Sequence, residues 1–172
     1  MSLRPILLAA VLVLGATPVL AQELALVGVD GRTTTLTAAD IAALPRVTVR
    51  FAGHGESHDY EGPLLIDVLA KVGAPTGEAL RGPALADVVL VEAKDGYRVA
   101  FGLAEADPRT RPNRMILADR ADGAPLSAKD GPFKVIVEGD LRPARSARMV
   151  ARITLARFGE AGSTPGAPSH AH

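Results

Sequence analysis

An α+β domain, a mixed β-sheet carrying a few short helices, is the fold class this sequence predicts. Three observations lead there. Short apolar runs recur along the chain, and most are bounded by Gly, Pro or an Asp-Gly pair, which is the punctuation of strands and turns. Apolar residues at helical spacing occur in only two places, and neither run is long. The chain of 172 residues is 48% hydrophobic but only 3% aromatic. Its core therefore has to be packed from Val, Leu, Ile and Ala, at a length that suits one domain.

Taken in order, Leu24 to Val29 reads as a strand stopped at Asp30-Gly31, a pair suited to a hairpin because Gly tolerates positive φ. Thr33 to Leu36 is the returning strand. Thr37 can cap a helix with Asp40 in its first turn and Ile41 and Leu44 facing inward, and Pro45 ends it. Arg46 to Phe51 alternates polar and apolar residues as a strand does. From Ala52 to Gly62 the pattern fails, and Gly53, Gly55, Ser57 and Asp59 predict a loop. Pro63 then opens a helix carrying Leu65, Val68, Leu69 and Val72, which Gly73 stops. Val88 to Ala93 and Arg98 to Phe101 form a strand pair around Asp95-Gly96. Arg114 to Ala118 and Phe133 to Val137 are two more strands, with Asp122-Gly123 between them, and Ala151 to Ala156 is the last. No repeat and no second domain is evident.

The two ends read differently from the middle. Arg4, the apolar run Pro5 to Leu14, and Val19-Leu20-Ala21 have the order of an export signal, so residues 1–21 are expected to be removed before Gln22. The apolar run is short for a membrane span, so no span is expected after cleavage. Residues 22–158 then form the domain, and 159–172, dominated by Gly, Ser, Pro and Ala, are expected to be disordered. The protein would work in the periplasm. Lys+Arg and Asp+Glu both total 19, and so balanced a chain with few aromatics lacks the footprint of a nucleic-acid binder. It contains no cysteine, which excludes disulfides, iron–sulfur clusters and thiolate zinc sites. No G-x-S-x-G, nucleophilic Cys or P-loop is present to support hydrolase chemistry.

Five segments carry a family resemblance when read in order: TLTAADIAALPRVTV, HDYEGPLLIDVLAKVGAP, DGYRVAFGLAE, DGAPLSAKDGPFKVIV and PARSARMVARITL. Together, over roughly residues 33–157, they resemble the oxidoreductase molybdopterin-binding domain, the fold of sulfite oxidase and its bacterial relatives. The resemblance implies a mixed-sheet fold and a pterin or molybdopterin cofactor. In catalytic relatives a Cys thiolate after the strand corresponding to Val47–Phe51 binds molybdenum, a soft-ligand preference. This chain has FAGHGESHDYEG there. Ser57 is the nearest substitute and a hard oxygen donor, which argues against molybdenum.

The candidate site residues fall in three groups. His54 and His58 lie in the 52–62 segment that matches the cofactor loop, where imidazoles suit the amide and amino edges of a pterin. As an i, i+4 pair they also admit a metal, but the glycines argue against the helix this requires. Tyr60 in the same segment and Tyr97 after the Asp95-Gly96 turn can stack on a flat ring or pack in the core. Arg142, Arg145 and Arg148 are spaced three apart and, on a turn or short helix, would converge on an anion. The resemblance makes Arg145 the foremost of them, at the anionic end of the pterin. Surface charges paired with acids are the alternative. The expectation is an exported pterin-binding protein without redox chemistry, presenting its ligand to a partner such as a membrane-bound sensor or redox protein. The alternatives are a molybdopterin-dependent oxidoreductase subunit with a non-Cys or shared metal site, and an interaction domain with a closed pocket.

Overall fold

The computed structural model describes residues 23–53 and 55–157. The expected export signal, the expected tail and His54 lie outside them. Eleven strands and two short α-helices, with five single turns of 3₁₀ helix, make up the described chain. The α+β class expected from the sequence is the class observed.

Strand β1 (Glu23–Val27) turns back at Asp30-Gly31 into β2 (Thr33–Thr37). Thr37 caps helix α1 (Ala38–Ala42) through a reciprocal capping box with Asp40, the Thr37 hydroxyl and backbone N–H both meeting that carboxylate. The same hydrogen bonds hold the Asp40 carboxyl below its usual range. Next come β3 (Arg46–Gly53) and β4 (Glu56–Pro63), paired antiparallel along their whole length from Arg46↔Pro63 to Gly53↔Glu56. The loop expected over 52–62 is thus mostly a strand. Its period was hidden because β4 alternates polar with polar. Tyr60 and Gly62 are buried, whereas Ser57 is exposed and Asp59 and Glu61 are partly so. Pro63 ends this strand instead of opening the helix, and α2 (Leu65–Leu69) begins after Leu64, buries Leu65, Ile66, Val68 and Leu69, and runs into a 3₁₀ turn closed by Gly73 at φ 80°.

The second half contains β5 (Asp87–Ala93), β6 (Arg98–Gly102), β7 (Met115–Ala118), the two-residue strands β8 (Arg120–Ala121) and β9 (Ala124–Pro125), β10 (Lys134–Val137) and β11 (Val150–Arg157). One five-stranded sheet has the order β2-β1-β11-β5-β6, with only the β1–β11 pair parallel. The β3–β4 hairpin extends through β8 and β9 into a second sheet, and β7 pairs antiparallel with β10 as a ribbon. That ribbon lies between two cores. Met115, Leu117, Phe133, Val135 and Val137 join the large core under the five-stranded sheet and α2. Ile116, Ala118 and Ile136 face the other way, onto Val49, Phe51 and Tyr60 of the hairpin. A strand buried on both faces needs an unbroken apolar run, and Met115–Ala118 is one. Gly62 is where β4 crosses this ribbon: a Cβ there would lie within 2.8 Å of three backbone atoms of Leu117 and Ala118.

Candidate functional site

Four separate stretches meet at one end of the hairpin and enclose a cleft of roughly 950 Å³, within the size range of small-molecule sites. The hairpin supplies Phe51, Glu56, His58 and Tyr60. The β5–β6 turn supplies Asp95 and Tyr97. The remaining walls come from Lys129 and Asp130 ahead of β10 with Lys134 at its start, and from the segment between Arg142 and Arg148. That last segment is fastened from both sides. Val135 N–H donates to Ala147 O at 2.8 Å, and the Tyr97 hydroxyl donates to Ala144 O.

His58, Tyr60, Tyr97, Arg142 and Arg148, all expected from the sequence, line this cleft. Tyr60 is buried in the hairpin core, and its hydroxyl accepts a hydrogen bond of 3.2 Å from Lys134 Nζ, which is also 3.3 Å from Asp130. Tyr97 is nearly half exposed, so its ring is the flat surface still open to a ligand. Arg142 and Arg148 are exposed, and neither they nor Lys129 hold a carboxylate among the described residues. Ser57, one residue from His58 on a strand, falls on the opposite face of the hairpin and does not line the cleft.

Arg145 does not join them. Its guanidinium takes Asp140 through two hydrogen bonds of 3.0 and 2.7 Å and Glu105 through one of 3.2 Å, while packing 5.3 Å over the Phe101 ring. Those carboxylates hold the Arg145 pKa above its ordinary value. The expected convergence of three arginines is therefore corrected to two. Only Pro143–Arg145 is 3₁₀ helix, Arg142 is extended at φ −137°, and Ser146 leaves the helical region, so a spacing of three does not keep one face.

Sequence reasoning missed Lys129, Lys134 and Asp122. Lys134 looks like an ordinary strand residue, and only the fold sets it beside Tyr60. Asp122 and Gly123, both at positive φ, form the two-residue turn between β8 and β9. The Asp122 carboxylate lies 2.6 Å from His58 Nδ1 and accepts from Asp59 N–H at 2.9 Å, contacts that lower its pKa, the backbone one most. The Asp-Gly pair was a visible turn signal, but its partner lies more than sixty positions away.

The donors around the cleft are imidazole, phenol, carboxylate, ammonium and guanidinium. They fit the organic part of a molybdopterin: cations for a phosphate, and polar edges and a flat ring for a heterocycle. They do not fit its metal, since the chain has no cysteine to supply a thiolate and the cleft is lined by no sulfur-bearing side chain. No group of three or more His, Asp or Glu side chains able to hold a metal ion occurs among the described residues.

No protein-family model matches the chain, and no curated protein matches it. Among solved structures it is similar to the sulfane dehydrogenase SoxCD from Paracoccus pantotrophus, with a TM-score of 0.58 at 17% sequence identity over 78% of this chain. The match takes in 38% of the neighbour's chain, so this protein spans well under half of that length. The likeness is one of fold, at a distance.

Proposed function

We propose that this chain is an exported pterin-binding protein of the sulfite-oxidase-like fold, without redox chemistry of its own. The observation that carries the reading is the set of three cations, Lys129, Arg142 and Arg148, brought to one cleft without carboxylate partners among the described residues. Elsewhere Arg46, Arg98, Arg114 and Arg145 each hold a carboxylate. Unpaired cations around a concave, partly aromatic wall favour an anionic ligand with a flat body. The ordered resemblance to a molybdopterin-binding domain, and the likeness in fold to a sulfane dehydrogenase, narrow that ligand class to a pterin, with or without its phosphate.

In this reading Arg142, Arg148 and Lys129 take the anionic end, Tyr97 offers a ring face, and His58 meets a polar edge. A ligand held without a metal has occupancy as its output, and a membrane-bound sensor or redox protein in the periplasm would read it. The test is mass spectrometry of small molecules released from protein purified from periplasm, with molybdenum measured on the same sample. A released pterin without stoichiometric molybdenum is expected. Absence of any pterin would defeat the reading. Stoichiometric molybdenum with electron transfer to an acceptor would replace it with the oxidoreductase alternative.

A further inference from the structure

His58 is held by a residue that is itself held in an unusual backbone conformation. Asp122 sits at φ 49°, a left-handed value that Asp and Asn tolerate better than other side chains. Its turn is tied to β4 at both its backbone and its side chain. Asp122 N–H donates to Asp59 O at 2.9 Å, Asp59 N–H donates back to Asp122 Oδ1, and Asp122 Oδ2 lies 2.6 Å from His58 Nδ1. An ionised carboxylate only accepts, so a neutral imidazole at that distance must carry its proton on Nδ1. Nε2 is then the nitrogen with a free lone pair. It lies on the side of Glu56, 3.8 Å from that carboxylate and beyond hydrogen-bond reach. Glu56 and His58 both line the cleft, whereas Asp122 does not.

The other groups around the ring are accounted for. Tyr60 meets it edge-on at 6.0 Å between centroids, with its hydroxyl engaged by Lys134. Asp59 spends its carboxylate on Arg50 at 3.0 Å. Asp122 is therefore the partner that decides which imidazole nitrogen carries the proton.

We infer that Asp122 is a positioning residue that fixes His58 with Nε2 offered to the cleft as a hydrogen-bond acceptor, making the site selective for a ligand that presents an N–H there. The cleft's role as a ligand site rests on the function proposed above. The tautomer does not.

Asp122→Asn separates the two. Asn suits a turn of this type at least as well as Asp, and its carbonyl still accepts from Asp59 N–H. Its amide N–H₂ then faces His58 Nδ1, which reverses the ring: Nδ1 becomes the acceptor and Nε2 the donor. Imidazole ¹⁵N shifts, read at about pH 8.5 where an ordinary His is neutral, should place the His58 proton on Nδ1 in the wild type and on Nε2 in Asp122→Asn. Titration with 6-carboxypterin should then show affinity about tenfold weaker for the variant, the scale of one lost hydrogen bond. A wild-type proton on Nε2, or no change of tautomer in the variant, overturns the positioning role. A tautomer that flips while pterin affinity stays equal overturns the selectivity. If the wild type binds no pterin, the proposed function fails and the selectivity falls with it, and the ¹⁵N shifts still decide the positioning role.

Discussion

Glu138 and Arg114 form a charge pair closed by three hydrogen bonds. Glu138 Oε2 accepts from both the Arg114 backbone N–H and Nε at 2.8 Å, and Oε1 accepts from Nη2 at 2.6 Å. These bonds hold the Glu138 carboxyl below its usual range. A carboxyl depressed on folding stabilises the fold above its unfolded value, and that contribution is lost as pH falls through the folded value. Glu138→Gln should therefore lower stability by about 1 kcal/mol near neutrality, discounted for solvent screening. The deficit should shrink as urea midpoints are followed to acid pH. Arg145→Met is expected to cost a similar amount, about 1 kcal/mol, by freeing Asp140 from its partner. It should leave ligand affinity near the wild-type value, whereas Arg142→Ala and Arg148→Ala should reduce affinity and leave stability unchanged. The arginines were legible as a cluster, but their division of labour was not. Arg145 finds Asp140 five positions away and Glu105 forty positions away, and the two carboxylates come together only once the chain is folded around Phe101.

At the level of elements, the crossing of β4 over β7 decides where His58 and Tyr60 stand. Gly62→Ala would set a Cβ 2.1 Å from Leu117 O, against backbone that has no side-chain freedom with which to yield. A cost of about 2–4 kcal/mol is expected, the scale of a forced core overlap, read as a shift in thermal or urea midpoint. The strands rich in Val, Leu and Ile were legible because burial writes a period into them: Asp87–Ala93 buries alternate residues, and Met115–Ala118 buries all four. Strand β4 was not legible, since Ser57, Asp59 and Glu61 are polar on one face and His58 is polar on the other. Its pairing is written in β3, whose Val49 and Phe51 face the same core as Tyr60. The β8–β9 hairpin is too short to leave any pattern beyond its Asp-Gly turn.

Over the whole molecule, the β7–β10 ribbon belongs to both cores, so neither is expected to melt alone. Ile136→Ala, a fully buried change on the hairpin side, should cost about 2–4 kcal/mol. Far-UV circular dichroism and tyrosine fluorescence should still report one coincident transition, as a two-state domain requires. Two separate transitions would show that the hairpin core unfolds independently. The class of fold was legible because local patterns add up to it, but the cleft was legible only in part: His58, Tyr60, Tyr97, Arg142 and Arg148 were expected in it, whereas Lys129 and Lys134 reach it through long-range pairing. The central claim is that this cleft binds a pterin through its unpaired cations. It is tested most directly by titrating 6-carboxypterin into the wild type and into an Arg142→Ala/Arg148→Ala double variant at low salt, following quenching of the pterin's own fluorescence. Saturable one-to-one binding that weakens with salt and is lost in the double variant is the predicted result. Absence of saturable binding in the wild type, or equal binding by both proteins, would contradict it.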